Sequence, residues 1–173
     1  MPFNFQFRLA EDRKGIDKLA SFLLLQPFNY PGYEGWIERA RADLLSGYKS
    51  CILAFSDGSL VGDLIFQPHK QFSPIRELKN MRVDPKLQGR YFGMFMLRQA
   101  EKENPASFEA IICDTRSDRV DVVNMLRLLG YQELLRAPIY EKNVEDLVMY
   151  KAFERTGQGI LVPIRKKLLE KVA

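Results

Sequence analysis

The chain has 173 residues, of which 46% are hydrophobic and 28% charged, a composition typical of one globular domain that excludes a large multidomain assembly, a collagen-like protein and a wholly disordered chain. The net charge is +4, but residues 154–173 hold five basic and two acidic residues, so the rest of the chain is nearly balanced and lacks the basic footprint of a protein that wraps duplex DNA. Two cysteines, Cys51 and Cys113, and one histidine, His69, are too few for a disulfide scaffold or a four-ligand zinc site, so no metal is expected.

Membrane insertion and export are not expected either. The apolar stretch over residues 19–26 is much shorter than the roughly 20 residues that a spanning helix needs. The N-terminal sequence MPFNFQFRLAEDR lacks the apolar block of a signal peptide. We therefore expect a cytoplasmic protein.

The first part of the chain predicts one strand and two helices. FQFRL, residues 5–9, alternates polar and apolar side chains as a half-buried strand does. Apolar residues at helical spacing then follow Asp12 and continue over 14–26, where Pro27 ends the helix. A loop rich in turn formers and aromatic rings leads into a second helix over 34–46.

The remainder predicts strands that alternate with helices. SCILAF and LVGDLIF are apolar strand-like runs joined by SDGS, whose Asp-Gly pair is a strong hairpin signal. The further predicted elements are a strand over 77–83, a helix over 93–104, a buried strand over 110–114, a helix over 120–129 and strands over 131–135 and 147–153.

The stretch VDPKLQGRYFG, residues 83–93, is the most informative part of the sequence. It follows a predicted strand and opens a predicted helix. Backbone N–H groups at a helix N-terminus form an anion site, and glycines let the backbone approach a phosphate closely. The stretch lacks the Walker and dinucleotide-fold patterns. A phosphate-binding loop and a plain strand-to-helix connection remain the two interpretations at this point.

This loop resembles that of the GNAT family, the GCN5-related N-acetyltransferases, which reads V-D-P-x-x-R/Q-G-x-G-x-G/A. The matching residues are Val83, Asp84, Pro85, Gln88, Gly89 and Gly93. VNMLRLLGY, residues 123–131, resembles the second motif of the family, and the order of elements over residues 5–153 is similar. The resemblance implies an α/β (α+β) fold over 1–153, with a mixed, mostly antiparallel sheet of about six or seven strands splayed between strands 4 and 5 and about four flanking helices. Residues 154–173 would form a basic extension with a strand-like apolar run followed by a helix.

The resemblance also implies acetyl-CoA as co-substrate. The backbone amides from Gln88 to Met94 would bind its pyrophosphate, and the end of the fourth strand would pair with its pantetheine arm. The implied cofactor-binding residues are Met81, Arg82, Val83, Gln88, Gly89, Arg90, Tyr91, Phe92, Gly93 and Met94. Tyr91 departs from the pattern, because it replaces the middle glycine of the loop and needs a backbone conformation that a Cβ tolerates.

The catalytic residues follow the family pattern only in part. Glu77, six residues before Val83, lies where many members keep a glutamate, and it is expected to act as the base or to organise a water. A solvated or salt-bridged strand glutamate is the alternative. The usual tyrosine acid is replaced by Leu126. Tyr131, Tyr140 and Ser117 are the nearest side chains that could replace it, and Tyr131 is the expected acid.

Two other segments have predicted partners. Tyr30, Tyr33 and Trp36, in or beside the aromatic loop, would shape a pocket for the acceptor or, alternatively, pack over a small core. The basic tail would dock on the body or on a second subunit of a homodimer, with membrane or nucleic-acid contact as the alternative.

The sequence therefore predicts an enzyme that transfers an acetyl group from acetyl-CoA to a primary amine, on a small molecule or a peptide, by direct attack in a ternary complex. Neither cysteine lies in a motif that suggests a covalent intermediate. One alternative is an acyl-CoA-binding domain without turnover, as the loss of the acid at Leu126 would allow. The other is a transferase acting on protein lysine or aminoacyl-tRNA, with the basic tail steering the acceptor.

Overall fold

The computed structural model describes residues 4–26, 31–153, 165–167 and 169–170. Its contacts divide the chain into two compact units. Unit 1 comprises the described residues of Met1–Gln67 and Lys79–Glu103, and unit 2 those of Pro68–Leu78 and Asn104–Ala173.

Over residues 4–26 and 31–153, seven strands and four α-helices follow the order that the sequence predicts, with 3-10 turns at Pro85–Leu87 and Pro105–Ser107. The strands are β1 (Phe5–Leu9), β2 (Ser50–Ser56), β3 (Ser59–Pro68), β4 (Ile75–Val83), β5 (Ala110–Arg116), β6 (Gln132–Glu141) and β7 (Val144–Ala152). The helices are α1 (Arg13–Leu24), α2 (Tyr33–Leu45), α3 (Phe92–Lys102) and α4 (Val120–Leu128). β4 contributes residues 79–83 to unit 1 and residues 75–78 to unit 2. The hydrogen-bonded strand order is β1-β2-β3-β4 in unit 1 and β4-β5-β7-β6 in unit 2.

Unit 1 forms because α1 and α2 both bury an apolar stripe against β2 and β3. The Asp12 carboxylate accepts a hydrogen bond from the Gly15 N–H at 2.6 Å and so caps the start of α1. β2 and β3 form the predicted antiparallel hairpin, whose strands are buried along most of their length. The shared core residues include Leu19, Leu23, Ile37, Leu53 and Ile65.

β3 also carries a carboxylate into this interior. Asp63 is fully buried, and its Oδ2 accepts a hydrogen bond from Asn80 Nδ2 at 2.6 Å, whereas its Oδ1 has no hydrogen-bond partner. Burial raises the pKa of Asp63 to about 7, against the smaller opposing effects of the Asn80 hydrogen bond and the Arg82 charge. An ionised carboxylate here is unfavourable because water cannot solvate it.

Unit 2 is built on a parallel strand pair and an antiparallel hairpin. β4 pairs with β5 in parallel from Ile75↔Ala110 to Glu77↔Ile112, and β5 and β6 both pair antiparallel with β7. This arrangement confirms the predicted mixed, mostly antiparallel sheet. The β6–β7 hairpin is longer than predicted, since its strands extend through residues 136–146, which the sequence analysis assigned to a connection.

The C-terminal segment is described only in part. Residues 165–167 and 169–170 are helical and exposed, as expected for a basic helix, and the Lys167 ammonium lies 5.7 Å from the Phe72 ring centroid. The strand-like run predicted before this helix lies outside the described residues. Among the described residues, no helix is both long and apolar enough to span a membrane.

Replacing Asp63 by asparagine should flatten the pH dependence of stability. The folded-state pKa of Asp63, about 7, lies above its ordinary value of 3.8, so between these two pH values the folded protein holds a proton that the unfolded chain has released. Its contribution to the free energy of unfolding therefore falls as pH rises from about 4 to about 7, and then levels off. Asp63→Asn should remove about 2–4 kcal/mol of this decline.

Urea titrations at intervals between pH 4 and 8 measure this effect. Asp57→Asn, in the exposed turn between β2 and β3, is the matched control and should leave the slope unchanged. Parallel pH profiles for the wild-type and Asp63→Asn proteins would contradict the assignment.

Candidate active site

The connection from β4 to α3 is a loop that hydrogen bonds hold at its start. The Asp84 N–H donates to the Val61 carbonyl at 2.8 Å, and the Asp84 carboxylate accepts from the Lys86 N–H at 2.9 Å. Gln88 Nε2 reaches back to donate to the Val83 carbonyl at 3.2 Å. The loop therefore leaves the strand in a defined direction.

Two residues with left-handed backbone complete the loop. Gly89 has φ +74° and Tyr91 has φ +65°. Glycine adopts this conformation without a Cβ penalty, whereas tyrosine does not. Tyr91 is the N-cap residue of α3, and its ring is 66% exposed. Tyr91 therefore adopts the left-handed conformation that favours glycine, although it has a Cβ.

The first turn of α3 leaves backbone donors for a ligand. No side chain caps the helix, and its first backbone bond to the N-cap is from the Phe95 N–H to the Tyr91 carbonyl. The N–H groups of Phe92, Gly93 and Met94 precede this bond, at the end where the helix dipole favours negative charge. Arg90 is exposed in the same loop and adds positive charge. Backbone and charge both suit an anion such as a diphosphate.

The end of β4 leads directly into this loop. Met81, Arg82 and Val83 are half-buried, and Arg82 Nη1 donates to the Met81 carbonyl at 2.9 Å. β3 approaches this strand closely: a Cβ on Gly62 would lie 2.9 Å from the Arg82 carbonyl oxygen.

Unit 2 gathers a separate group of ionisable side chains. Glu77 is half-buried on β4. The Tyr140 hydroxyl on β6 donates to Asp114 Oδ2 on β5 at 3.1 Å. Burial of its hydroxyl raises the pKa of Tyr140, and the negative charges of Asp114, Glu77 and Asp146 raise it further. The phenol is therefore neutral at physiological pH and lies in a field of negative charge.

Asp146 fixes the backbone that carries Tyr140. Asp146 is 3% exposed, and its Oδ2 accepts from the backbone N–H groups of Ile139 at 3.1 Å and of Tyr140 at 3.4 Å. Between the pairs Ala137↔Asp146 and Glu141↔Val144, β6 holds three residues and β7 one. The carboxylate thus accepts from donors that this irregularity removes from the strand ladder.

The other residues predicted around the missing acid lie elsewhere. Leu126 is buried on α4. Tyr131 is 2% exposed, with the Lys151 ammonium 5.7 Å from its ring centroid. Ser117 is half-buried, and its N–H donates to the Glu145 carbonyl at 2.8 Å. The role of Tyr131 as the acid stays a prediction.

The aromatic residues predicted to bind the acceptor lie in the core of unit 1. Tyr33 is buried, donates its hydroxyl to the Leu23 carbonyl at 3.2 Å, and stacks on Trp36 with ring centroids 5.9 Å apart. Trp36 packs against the same core. Tyr30 lies outside the described residues. Substrate contact by these residues stays a prediction.

Sequence reasoning missed Asp114 and Asp146. Asp114 is the first charged residue after the apolar run of β5, a position at which a strand often presents a functional side chain. Asp146 follows a glutamate in a segment that was assigned to a connection, and nothing local in the sequence shows that it is buried.

Comparisons with known proteins support the fold strongly but not through sequence. No protein-family profile and no curated protein sequence matches the chain. The acetyltransferase of the GNAT family from Streptococcus pneumoniae is similar in structure, with a TM-score of 0.70 at 17% identity, over 87% of this chain and 99% of that one.

Two similar structures contain a cofactor. YncA from Salmonella typhimurium with its cofactor acetyl-CoA has a TM-score of 0.68 at 15% identity, over 89% of this chain and 96% of that one. An aminoglycoside 6'-N-acetyltransferase complexed with coenzyme A has a TM-score of 0.68 at 16% identity, over 89% of this chain and 99% of that one. The chain therefore has the GNAT acetyltransferase fold, which confirms the fold expected from the β4–α3 motif.

Replacing Tyr91 by glycine should stabilise the protein. The substitution removes a left-handed tyrosine, and the ring is too exposed to contribute much packing. We expect the free energy of unfolding to rise by about 1 kcal/mol, after allowing for the greater freedom of glycine in the unfolded chain. Urea denaturation measures this change.

Tyr91→Ala is the matched control for this experiment. Alanine removes the ring but keeps the Cβ and therefore the backbone strain, so this variant should gain no stability. A gain of equal size in both variants would show that the ring, and not the backbone conformation, is unfavourable.

Proposed function

We propose that the chain is an acetyl-CoA-dependent N-acetyltransferase that acetylates a primary amine. The observation that carries the proposal is the β4–α3 loop, in which left-handed residues 89 and 91 lead into a helix N-terminus that no side chain caps. Support comes from the fold, which is similar to that of proteins with acetyl-CoA or coenzyme A bound.

The loop residues would hold the diphosphate of the co-substrate. The N–H groups of Phe92, Gly93 and Met94 would donate to phosphate oxygens, and the amides from Gln88 to Tyr91 would close the site around them. Backbone groups of β4 at Met81–Val83 would pair with the amides of the pantetheine arm.

The cysteines favour direct transfer over an acyl-enzyme route. Cys51 and Cys113 are both buried, and burial raises the pKa of each thiol well above its ordinary value. A thiol that stays protonated and out of contact with solvent is a poor nucleophile. The amine would therefore attack the thioester directly in a ternary complex, which brings the reactants together as one bound species.

Glu77 would make the acceptor nucleophilic. Amines are mostly protonated at neutral pH, so the ammonium must lose a proton before it can attack. Glu77 is half-buried on β4, and would take this proton directly or through water. Tyr131, the acid expected from the sequence, is 2% exposed, and its role stays a prediction.

A binding domain without turnover is the second candidate. Leu126, buried on α4, supplies no proton where the family keeps its acid, and this observation favours the alternative. Calorimetric titration with CoA, run beside a CoA-release assay on a panel of primary amines, separates the two functions. Binding with no release for any amine would favour the second candidate.

Gly89→Val should weaken CoA binding. A Cβ at this position meets no atom within 4 Å, so the substitution acts through φ +74° and distorts the loop. We expect the calorimetric Kd for CoA to rise by about tenfold or more, which corresponds to about 1.4 kcal/mol. Gly47→Val, at φ +77° and equally open, imposes the same strain at the end of α2 and should leave the Kd unchanged. If Gly89→Val and Gly47→Val bind CoA with the same Kd, the loop is not part of the CoA site.

Glu77→Gln should slow turnover while leaving CoA binding intact. Loss of a general base lowers kcat by about 10²-fold or more, and glutamine keeps the size of the side chain. Steady-state CoA release with a saturating amine gives kcat, and calorimetry gives the Kd for CoA. Glu133→Gln, an exposed residue paired with Arg136, is the control. An unchanged kcat in Glu77→Gln would assign Glu77 a structural role.

A further inference from the structure

We propose that Asp114 and Tyr140 form a proton relay that replaces the missing family acid, and that Asp146 is the residue that positions it. The inference rests on the proposed acetyl transfer and deepens it. All three residues belong to unit 2 and lie on β5, β6 and β7 respectively.

The geometry of the relay is a single hydrogen bond between residues 26 positions apart. The Tyr140 hydroxyl donates to Asp114 Oδ2 at 3.1 Å. Tyr140 is 67% exposed as a whole residue, although neighbouring groups partly enclose its hydroxyl, and Asp114 is exposed, so a ligand can approach the pair. The pair therefore combines a proton acceptor and a proton donor at one accessible place.

Asp146 gives this pair a fixed position. β6 is irregular at Tyr140, where three of its residues face one residue of β7. Without another acceptor, the N–H groups of Ile139 and Tyr140 would have no defined orientation. The buried Asp146 carboxylate accepts from both, and so holds the backbone from which the phenol reaches Asp114.

The transfer leaves two protons for the enzyme or the solvent to move. After Glu77 has taken one proton from the acceptor ammonium, the neutral amine attacks the thioester carbonyl. The C–N bond forms, the C–S bond breaks, and the sulfur leaves with the electron pair. The nitrogen must still lose a second proton and the sulfur must gain one.

Asp114 and Tyr140 would move that second proton. Asp114 takes it from the nitrogen and, once protonated, donates along the existing hydrogen bond to the phenol oxygen. The Tyr140 hydroxyl turns and gives its own proton to the sulfur. The amide and the free thiol are then complete, and both side chains are back in their starting states.

The carboxylates around Tyr140 favour a relay through Asp114 over proton donation by Tyr140 alone. Burial of its hydroxyl and the carboxylates of Asp114, Glu77 and Asp146 raise the pKa of Tyr140, so the phenol alone would give up its proton reluctantly. Resupply from Asp114 in the same step avoids a free phenolate. Nearby, Arg116 of β5 interacts most strongly with Asp118 and also with Glu141 of β6 and with Asp146.

A titration of the full chain without ligands tests the pair. The ultraviolet absorbance of phenolate follows tyrosine ionisation, and Tyr140→Phe identifies the contribution of Tyr140. We expect Asp114→Asn to shift the ionisation of Tyr140 to lower pH, toward the ordinary tyrosine value of about 10. An unchanged titration in Asp114→Asn would overturn the relay, because the two groups would not be coupled.

Turnover tests whether the coupled pair moves a proton. With acetyl-CoA and either benzylamine or 1,4-diaminobutane, Asp114→Asn and Tyr140→Phe should each lower kcat by about 10²-fold or more. The double variant should be no slower than the slower single variant, because residues that act as one unit are not additive. Additive losses, or an unchanged kcat in either single variant, would overturn the relay.

Two control variants match these substitutions. Tyr150→Phe removes another hydroxyl of the same sheet, which donates to Gln132. Asp118→Asn removes an exposed carboxylate paired with Arg116. Both controls should keep wild-type kcat, and a loss of similar size in either would overturn the assignment to Tyr140 and Asp114.

Asp146 is tested by a conservative pair of variants. Asp146→Asn keeps an oxygen that can accept from the two N–H groups, so kcat should stay within several-fold of the wild-type value. Asp146→Ala removes the acceptor and should lower kcat with an unchanged KM for acetyl-CoA. Where Asp146→Ala does not fold, a large loss of kcat in Asp146→Asn would by itself overturn the positioning role.

Failure of the relay and failure of the proposed function give different results. If calorimetry shows no CoA binding to the wild-type chain, the proposed function fails whatever the phenol titration gives. If CoA binds but neither amine releases CoA from acetyl-CoA, or if the variants turn over normally, the relay is overturned and cofactor binding stands.

Discussion

The parallel pairing of β4 with β5 is the constraint on which the candidate site depends. A parallel pair cannot be joined by a tight turn, so the chain must cross over through a helix. The crossover helix is α3, and its N-terminus therefore follows the carboxyl end of β4 directly. A strand end that leads into a helix N-terminus is where α/β proteins bind anionic groups. The position of the proposed diphosphate site is thus a consequence of strand direction.

The β4–α3 loop contains a residue in an unfavourable backbone conformation. Gly89 supplies one left-handed residue without strain, but the second is Tyr91. A Cβ in that conformation is unfavourable by about 1–2 kcal/mol, and a strained residue persists only where its surroundings fix it. The Asp84 and Gln88 hydrogen bonds fix the start of the loop, and the Phe95 N–H bond to the Tyr91 carbonyl fixes its end. The arrangement favours a loop that is set before a ligand arrives.

The sequence predicted those parts whose signals are local. The first helix after Asp12, the Asp-Gly hairpin between β2 and β3 and the β4–α3 loop each depend on a few neighbouring residues, and the structure has all three. The second half of the β6–β7 hairpin was missed because β6 is an edge strand. Its exposed charges and Pro138 break the alternation that marks a half-buried strand.

The Asp114–Tyr140 contact could not be predicted for a different reason. It joins residues 26 positions apart and depends on the register of β5 and β6 against β7, including the irregularity at residues 138–140. A shift of one residue would turn Tyr140 to the opposite face of the sheet. Tyr131, by contrast, was selected for its place beside a motif, and sequence proximity gave no indication that its side chain is buried.

The buried carboxylates of Asp146 and Asp63 have different effects because they differ in their hydrogen bonds. Asp146 accepts two backbone N–H groups that would otherwise lack acceptors, so its burial satisfies the backbone and fixes a position. Asp63 accepts one side-chain amide and leaves its second oxygen without a hydrogen bond, so burial acts against its ionised form. Hydrogen bonding to the charged form offsets the desolvation of Asp63 only partly. Asp146 therefore fixes the backbone that carries Tyr140, whereas Asp63 makes stability depend on pH.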